Sequence, residues 1–300
     1  AALRKGSLIH LGGSLAPFAA WLILRGMETL APRMAMHEAN ARRVEAFLAD
    51  HPKVRSVLWP GSARHPQHEL AARQMRKLPY ATGYFSYSSE PAIRLADKLA
   101  EIAPKGLSRV YLTLGGSEAV DAAVRLIVQF YNATGRPKKK HFISLERGYH
   151  GSSSTGAGLT ALPAFHRGFD LPRPEQHYIA SPYPYRHPAG ADAKALIDAS
   201  VASLRAKVNA LGAENVAAFF CEPIQGSGGV IVPPVGWLKA MREACRELDI
   251  LFIADEVITG FGRTGPMFAC DAEGVSPDLM TVAKGLTSGY APMGALLMSE

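Results

Sequence analysis

The sequence predicts an α/β fold, a mostly parallel sheet with helices on both faces, and three observations carry that expectation. Short apolar runs of strand length recur from about residue 90 onward. Amphipathic stretches of helix length lie between several of them, so strand, helix, strand crossovers are the natural connection. The composition, 48% hydrophobic and 20% charged, is that of an ordinary soluble globule.

Strands are expected at Val110–Thr113, Phe142–Leu145, Val216–Cys221, Ile250–Ala254, Leu279–Ala283 and Ala295–Met298. Ala119–Tyr131 places Val120, Ala123, Val124, Ile127 and Tyr131 on one helical face, and Ala193–Leu211 and Trp237–Leu248 behave similarly. Ahead of this region, apolar residues recur at helical spacing from Pro17 to Ala49 (Leu22, Leu30, Met34, Val44, Phe47 and Leu48). His51-Pro52 closes that helix, and Val54–Trp59 reads as a short strand ended by Pro60-Gly61. Gly148–Gly158 is a Gly/Ser-rich loop. Pro172–Pro188, rich in Pro and Tyr, is expected to run over the surface.

At 300 residues the chain has room for two domains and needs no disulfide or metal to hold a core. The formal net charge is +7, with the excess concentrated in residues 1–75. The densest basic run, Lys138-Lys139-Lys140, follows a Gly135–Pro137 turn without aromatic neighbours, so it is expected as a solvated loop rather than a nucleic-acid surface. Cys221, Cys245 and Cys270 form no C-x-x-C pair, which points to a reduced, cytoplasmic compartment. Leu15–Leu24 is too short to span a bilayer. Arg4 and Lys5 ahead of it imitate a signal peptide, but no small-residue cleavage site follows, so the Asn132-Ala133-Thr134 sequon carries no weight. The partners expected are small molecules, not nucleic acid or membrane.

In a parallel sheet, chemistry collects at the carboxyl ends of the strands. Three ionisable residues stand there: Glu222 after Val216–Cys221, Asp255 after Ile250–Ala254 and Lys284 after Leu279–Ala283. A lysine ending an apolar strand is expected to be partly desolvated, which favours the neutral amine that attacks a carbonyl. Leu114-Gly115-Gly116-Ser117-Glu118-Ala119 is a strand-to-helix turn whose small residues let a phosphate meet free N–H groups. The Ser117 hydroxyl either caps that helix or donates to the phosphate. Gly260-Phe261-Gly262-Arg263-Thr264-Gly265 matches G-x-G-x-x-G literally, but Pro266 and an irregular stretch follow, so dinucleotide binding is rejected. His65-Pro66-Gln67-His68 lacks a third ligand, and no metal site is expected.

These pieces fit pyridoxal phosphate chemistry, which needs a lysine for the aldehyde, an anion for the pyridine nitrogen, a phosphate cup and a flat group on the ring. Tyr149, in Gly148-Tyr149-His150-Gly151, supplies the flat group. Residues from about 71 to 300 resemble the large domain of a class III (omega) aminotransferase, a fold-type I pyridoxal-phosphate enzyme. The likeness rests on Gly116-Ser117-Glu118-Ala119, Gly148-Tyr149-His150-Gly151, Glu222-Pro223-Ile224-Gln225-Gly226, Asp255-Glu256-Val257 through Gly265, and Ala283-Lys284-Gly285-Leu286. The resemblance implies that Lys284 bonds the cofactor and shuttles protons, and that Asp255 pairs with the pyridinium nitrogen. It places Tyr149 and Val257 on the two ring faces, Gly116 and Ser117 at the phosphate, and Glu222 as a supporting carboxylate behind them. Tyr84 and Phe85 would line the substrate pocket.

Ornithine and GABA aminotransferases carry Glu at the position of Ser227 and Gln at that of Ile258. With Ser and Ile, the sequence is more similar to the amine:pyruvate and beta-alanine:pyruvate branch. The resemblance thus implies amino transfer from an amine or omega-amino acid to a keto acid such as pyruvate, in a homodimer.

Residues 1–75 resemble a different stretch, the one downstream of the cofactor lysine in trans-sulfuration enzymes. Arg25-Gly26-Met27-Glu28-Thr29-Leu30, Arg33-Met34, Asn40-Ala41, Pro60-Gly61 and His65-Pro66 carry that likeness. The expected organisation is therefore a helix–strand segment over 1–75 and a class III large domain over 76–300. The family's small domain, its carboxylate-binding arginine and a phosphate-binding threonine would lie beyond residue 300. That leaves an incomplete cofactor-binding protein without turnover as the alternative expectation, and a trans-sulfuration lyase as a remoter one.

Overall fold

The computed structural model describes residues 30–300 apart from 58, 60, 61, 63, 66, 67, 78–87, 187, 189–191 and 290. Tyr84, Phe85 and the helix expected before residue 30 lie outside the described residues. The chain divides into two compact units, Ala1–Tyr87 and Ser88–Glu300.

In the first unit, helix α1 spans Leu30–Ala49 and α2 spans His68–Lys77. Helix α1 stops where expected, because Pro52 has no N–H to continue the ladder. There the chain turns, with Val54 N donating to His51 O at 2.9 Å. The strand expected at Val54–Trp59 is not formed; its described residues are irregular. Among the described residues no strand of this unit offers a ladder, and a lone extended segment leaves its backbone groups to water. Trp59 is used differently: the Arg42 guanidinium lies 5.5 Å from its ring centre.

The second unit carries helix α3 (Glu90–Ile102), strand β1 (Arg109–Thr113), α4 (Gly116–Ala133), β2 (His141–Leu145), a short α5 (Gly156–Leu159), β3 (Gln176–Ile179) and α6 (Ala193–Leu211). It continues with β4 (Val216–Cys221), α7 (Trp237–Glu247), β5 (Leu251–Asp255), β6 (Leu279–Val282) and β7 (Gly294–Met298). One seven-stranded sheet results, in the order β1-β7-β6-β5-β4-β2-β3. From β6 through β3 all neighbours are parallel, while β7 runs antiparallel to both β6 and β1. The α/β architecture with a mostly parallel sheet is as expected.

Strand β3 corrects the reading of Pro172–Pro188 as surface loop. It pairs in parallel with β2, from Phe142↔Gln176 to Leu145↔Ile179. Gln176 and Ile179, the two ends of the strand, are buried, and the short run hides in sequence within its turn-rich surroundings.

Alternation along the central strands fills both faces. Phe219 and Phe252 join Leu196, Leu204, Trp237 and Met241 on one side. Phe220 and Ile253 join Val120, Ala123, Ile127 and Tyr131 of α4 on the other. Each fully buried Phe is worth about 1.5–3 kcal/mol of transfer free energy. This two-sided core fixes the carboxyl ends of β4, β5 and β6 in one row.

At the opposite end of the sheet, Lys139 overturns its expected place in a solvated run. It is buried, and its Nζ donates to Val216 O at 3.2 Å and to Asp249 O, 5.3 Å from the centre of the Tyr131 ring. Burial pushes its pKa down, against the pull of Asp249. The stem fits along the aromatic face, and backbone carbonyls satisfy the ammonium.

Candidate active site

Glu222 is the first residue after β4, Asp255 the last of β5, and Lys284 stands two residues beyond β6. Together with Gly116, Ser117, Tyr149, His150, Gly151, Val257, Ile258 and Ala283 they line one cleft of about 130 Å³ at the carboxyl end of the sheet. The expected cofactor-binding and catalytic residues therefore meet in one place. Ser227 does not line this cleft; it is exposed on the adjoining loop.

One end of the cleft is the start of helix α4. Its cap residue, Gly115, has no side chain to satisfy the first turn, so the N–H groups there are available to an anion. Ser117 does not cap the helix: it is the second helical residue, and its Oγ accepts from Ser152 N at 3.3 Å. Close packing explains the small residues. A Cβ on Gly116 would lie 3.1 Å from both Val257 methyls, and one on Gly151, whose φ is +113°, would lie 2.6 Å from Ser117 Oγ.

At the other end, Asp255 is held on two sides. His150 Nδ1 donates to Oδ2 at 2.7 Å, and Val257 N donates to Oδ1 at 3.2 Å. His150 is fully buried. Burial disfavours its imidazolium, but the hydrogen bond and charge of Asp255, with Glu222 adding to them, outweigh it and hold the pKa above 6.5. Sequence reasoning missed His150; its place in the Gly148–Gly151 motif was the one available signal.

Glu222 supports the cleft from below. Its Oε1 accepts from Tyr149 N at 2.9 Å and its Oε2 from Gly226 N at 3.0 Å. Burial raises its pKa, His150 opposes that, and Asp255 adds to the rise. The Tyr149 ring is steadied edge-on by Phe165, with centroids 5.3 Å apart.

Lys284 departs from expectation in one respect. It is exposed rather than desolvated, because the chain leaves β6 at Val282 and turns outward at the cleft. Its φ of 33° is left-handed, the kind of local strain that clusters at functional sites. The loop Gly260–Gly265 continues as turns, not as a helix. Glu256, fully buried, ties it back by accepting from Ala269 N at 3.1 Å, Cys270 N at 2.8 Å and the Thr259 hydroxyl.

A lysine amine, a buried carboxylate backed by a histidine, a planar side chain and an uncapped helix start are the groups that pyridoxal phosphate needs. The donor set fits that cofactor. Comparison with known proteins agrees: the family model described as aminotransferase class-III matches residues 60–300.

The chain belongs to the class III aminotransferases.

This family's architecture is the pyridoxal-phosphate fold type I. The chain is 43% identical over 246 residues to the putrescine–pyruvate aminotransferase of Pseudomonas aeruginosa, covering 81% of this chain and 54% of that protein. It is 36% identical over 294 residues to gamma aminobutyrate transaminase 2 of Solanum lycopersicum, covering 95% of this chain and 63% of that one. Among solved structures, the omega transaminase of Pseudomonas jessenii in complex with PMP superposes with a TM-score of 0.75 at 44% identity, over 78% of this chain and 52% of that chain. The chain spans about half the length of the curated class III aminotransferases it matches.

Proposed function

We propose that the chain forms the cofactor-binding part of a transaminase that moves an amino group from an amine or omega-amino acid to a keto acid such as pyruvate. The observation that supports this most is the convergence of Lys284, Asp255 and the start of α4 on one cleft. When bound, pyridoxal phosphate supplies an aldehyde and an electron-withdrawing ring.

The chain's own residues do the rest. Lys284 Nζ holds the aldehyde and later moves a proton at the same nitrogen. Asp255 would keep a proton on the ring nitrogen, its carboxylate held by His150 Nδ1 and Val257 N. Tyr149 and Val257 would hold the ring between them, and the N–H groups of Gly116 and Ser117 would hold the phosphate. Ile258 in the cleft wall and Ser227, exposed beside it, supply no carboxylate, which suits an uncharged or simple amine tail with pyruvate as acceptor. Pyruvate is the acceptor in the name of one relative, the putrescine–pyruvate aminotransferase.

A homodimer belongs to the same reading, supported by the exposed Tyr111 and Leu114 at the β1 edge. So does a cytoplasmic setting, supported by three buried free cysteines. Among the described residues no helix is long and apolar enough to cross a membrane. The division into segments 1–75 and 76–300 is also part of this reading, with the two compact units as its support.

The test is borohydride reduction after loading with pyridoxal phosphate, followed by peptide mass spectrometry. The expected adduct sits on the peptide containing Lys284 and vanishes in Lys284→Ala. An adduct scattered over exposed lysines would overturn the reading.

A further inference from the structure

Gln225 touches neither the cleft nor its floor, yet it joins the carboxyl ends of three neighbouring strands. It is 1% exposed. Its Nε2 donates to Glu146 O, just after β2, at 2.9 Å, and its Oε1 accepts from the Ser181 hydroxyl, just after β3. Its backbone pairs both ways with Ile231, N to O at 3.1 Å and O to N at 2.9 Å. That pair closes residues 226–230, beyond β4, into a tight loop carrying Ser227.

The same loop leaves no slack elsewhere. A Cβ on Gly226 would lie 2.6 Å from Ile258 Cδ1, and one on Gly228 would lie 2.5 Å from Arg147 O. The Arg147 guanidinium donates to Gly228 O at 3.3 Å and stacks 5.5 Å over Tyr183. Glu146 is in turn three residues before Tyr149, whose N–H is fixed by Glu222. Glu222 bridges Tyr149 N and Gly226 N directly, and the buried Gln225 carboxamide adds a second tie between the Tyr149 wall and the Gly226–Ile258 wall.

We propose that Gln225 is a positioning residue for substrate fit, fixing the 226–230 loop against the Tyr149 loop so that Ile258 and Tyr149 meet the amine at a set width. This rests on the transaminase reading. Gln225→Met keeps the volume and removes both side-chain hydrogen bonds; Ser181→Ala removes one. In the 300-residue chain loaded with pyridoxal phosphate, the half-saturating putrescine concentration, read from the cofactor absorbance, is expected to rise about tenfold in Gln225→Met and less in Ser181→Ala. Half-saturation by the cofactor itself is expected to stay within about twofold, and amide exchange to speed up only at residues 147–149 and 226–231.

Unchanged putrescine binding in Gln225→Met overturns the proposal. So does loss of cofactor and amine binding together, which would make Gln225 a general scaffold residue. A wild-type chain that takes up no cofactor refutes the transaminase reading instead. In that case the exchange pattern decides: gains confined to those two loops uphold the positioning role, and any other pattern overturns it.

Discussion

His150 Nδ1 lies 2.7 Å from Asp255 Oδ2, with both side chains buried beneath the cleft. The imidazole turns a carboxylate that burial would otherwise penalise into one half of an ion pair. Among the described residues, its other nitrogen, Nε2, is buried without a hydrogen-bond partner. The ring's hydrogen bonding is thus carried by Nδ1, and the strength of the pair depends on the charge state of the ring.

That dependence has a sign. A histidine whose folded pKa is raised above its ordinary 6.5 contributes stability that is complete below 6.5 and is lost as pH rises through the folded value. Urea midpoints of the wild type and His150→Phe, compared from about pH 5 to about pH 9, should show the widest margin at the acid end. A margin that grew with pH would mean the ring is neutral in the native state.

Replacing Asp255 with Asn keeps the shape and removes the charge. Lys284 should still carry the cofactor after borohydride reduction, because nothing at position 284 changes. Single-turnover deamination of the amine should slow about 10²- to 10³-fold, the usual effect of losing one preorganised electrostatic partner. Stopped-flow absorbance measures it.

Gly116→Ala brings a methyl within 3.1 Å of Val257. Val257 must shift toward the ring position, an overpacking cost of about 1–3 kcal/mol that falls on the bound cofactor more than on the fold. Equilibrium titration with pyridoxal phosphate should show weaker binding by about tenfold, with the thermal midpoint little changed.

Glu256→Gln replaces one acceptor oxygen by an NH2 that faces either the Ala269 N–H or the Cys270 N–H. The loop through Gly260–Gly265 loses its tie, and the chain should lose about 1–3 kcal/mol in urea denaturation. Glu256→Ala, which also leaves a cavity, should lose more.

The strand ends were readable in the sequence because apolar runs locate strands, and a charged residue closing such a run falls at the sheet's edge. Lys284, Asp255, Glu222 and the Gly116–Ser117 turn follow from that logic. His150 does not, since an imidazole beside Tyr149 looks the same in sequence whether it faces water or a buried carboxylate. Strand β3 was hidden because four residues between proline-rich turns carry too little periodicity. Val54–Trp59 shows the converse error: a strand-like pattern is a strand only where a neighbour pairs with it. Lys284 was expected to be desolvated because it ends an apolar run, but exposure depends on the direction of the turn that follows.

Lys139 has a practical consequence. Its amine is consumed by backbone carbonyls at the base of β4 and β5, whereas Lys138 beside it is exposed. Acetic anhydride given to the native protein should mark Lys138 within seconds and pass over its neighbour until the sheet comes apart. The ratio of the two labels would make a built-in clock for global opening, with the fast position serving as its own calibration.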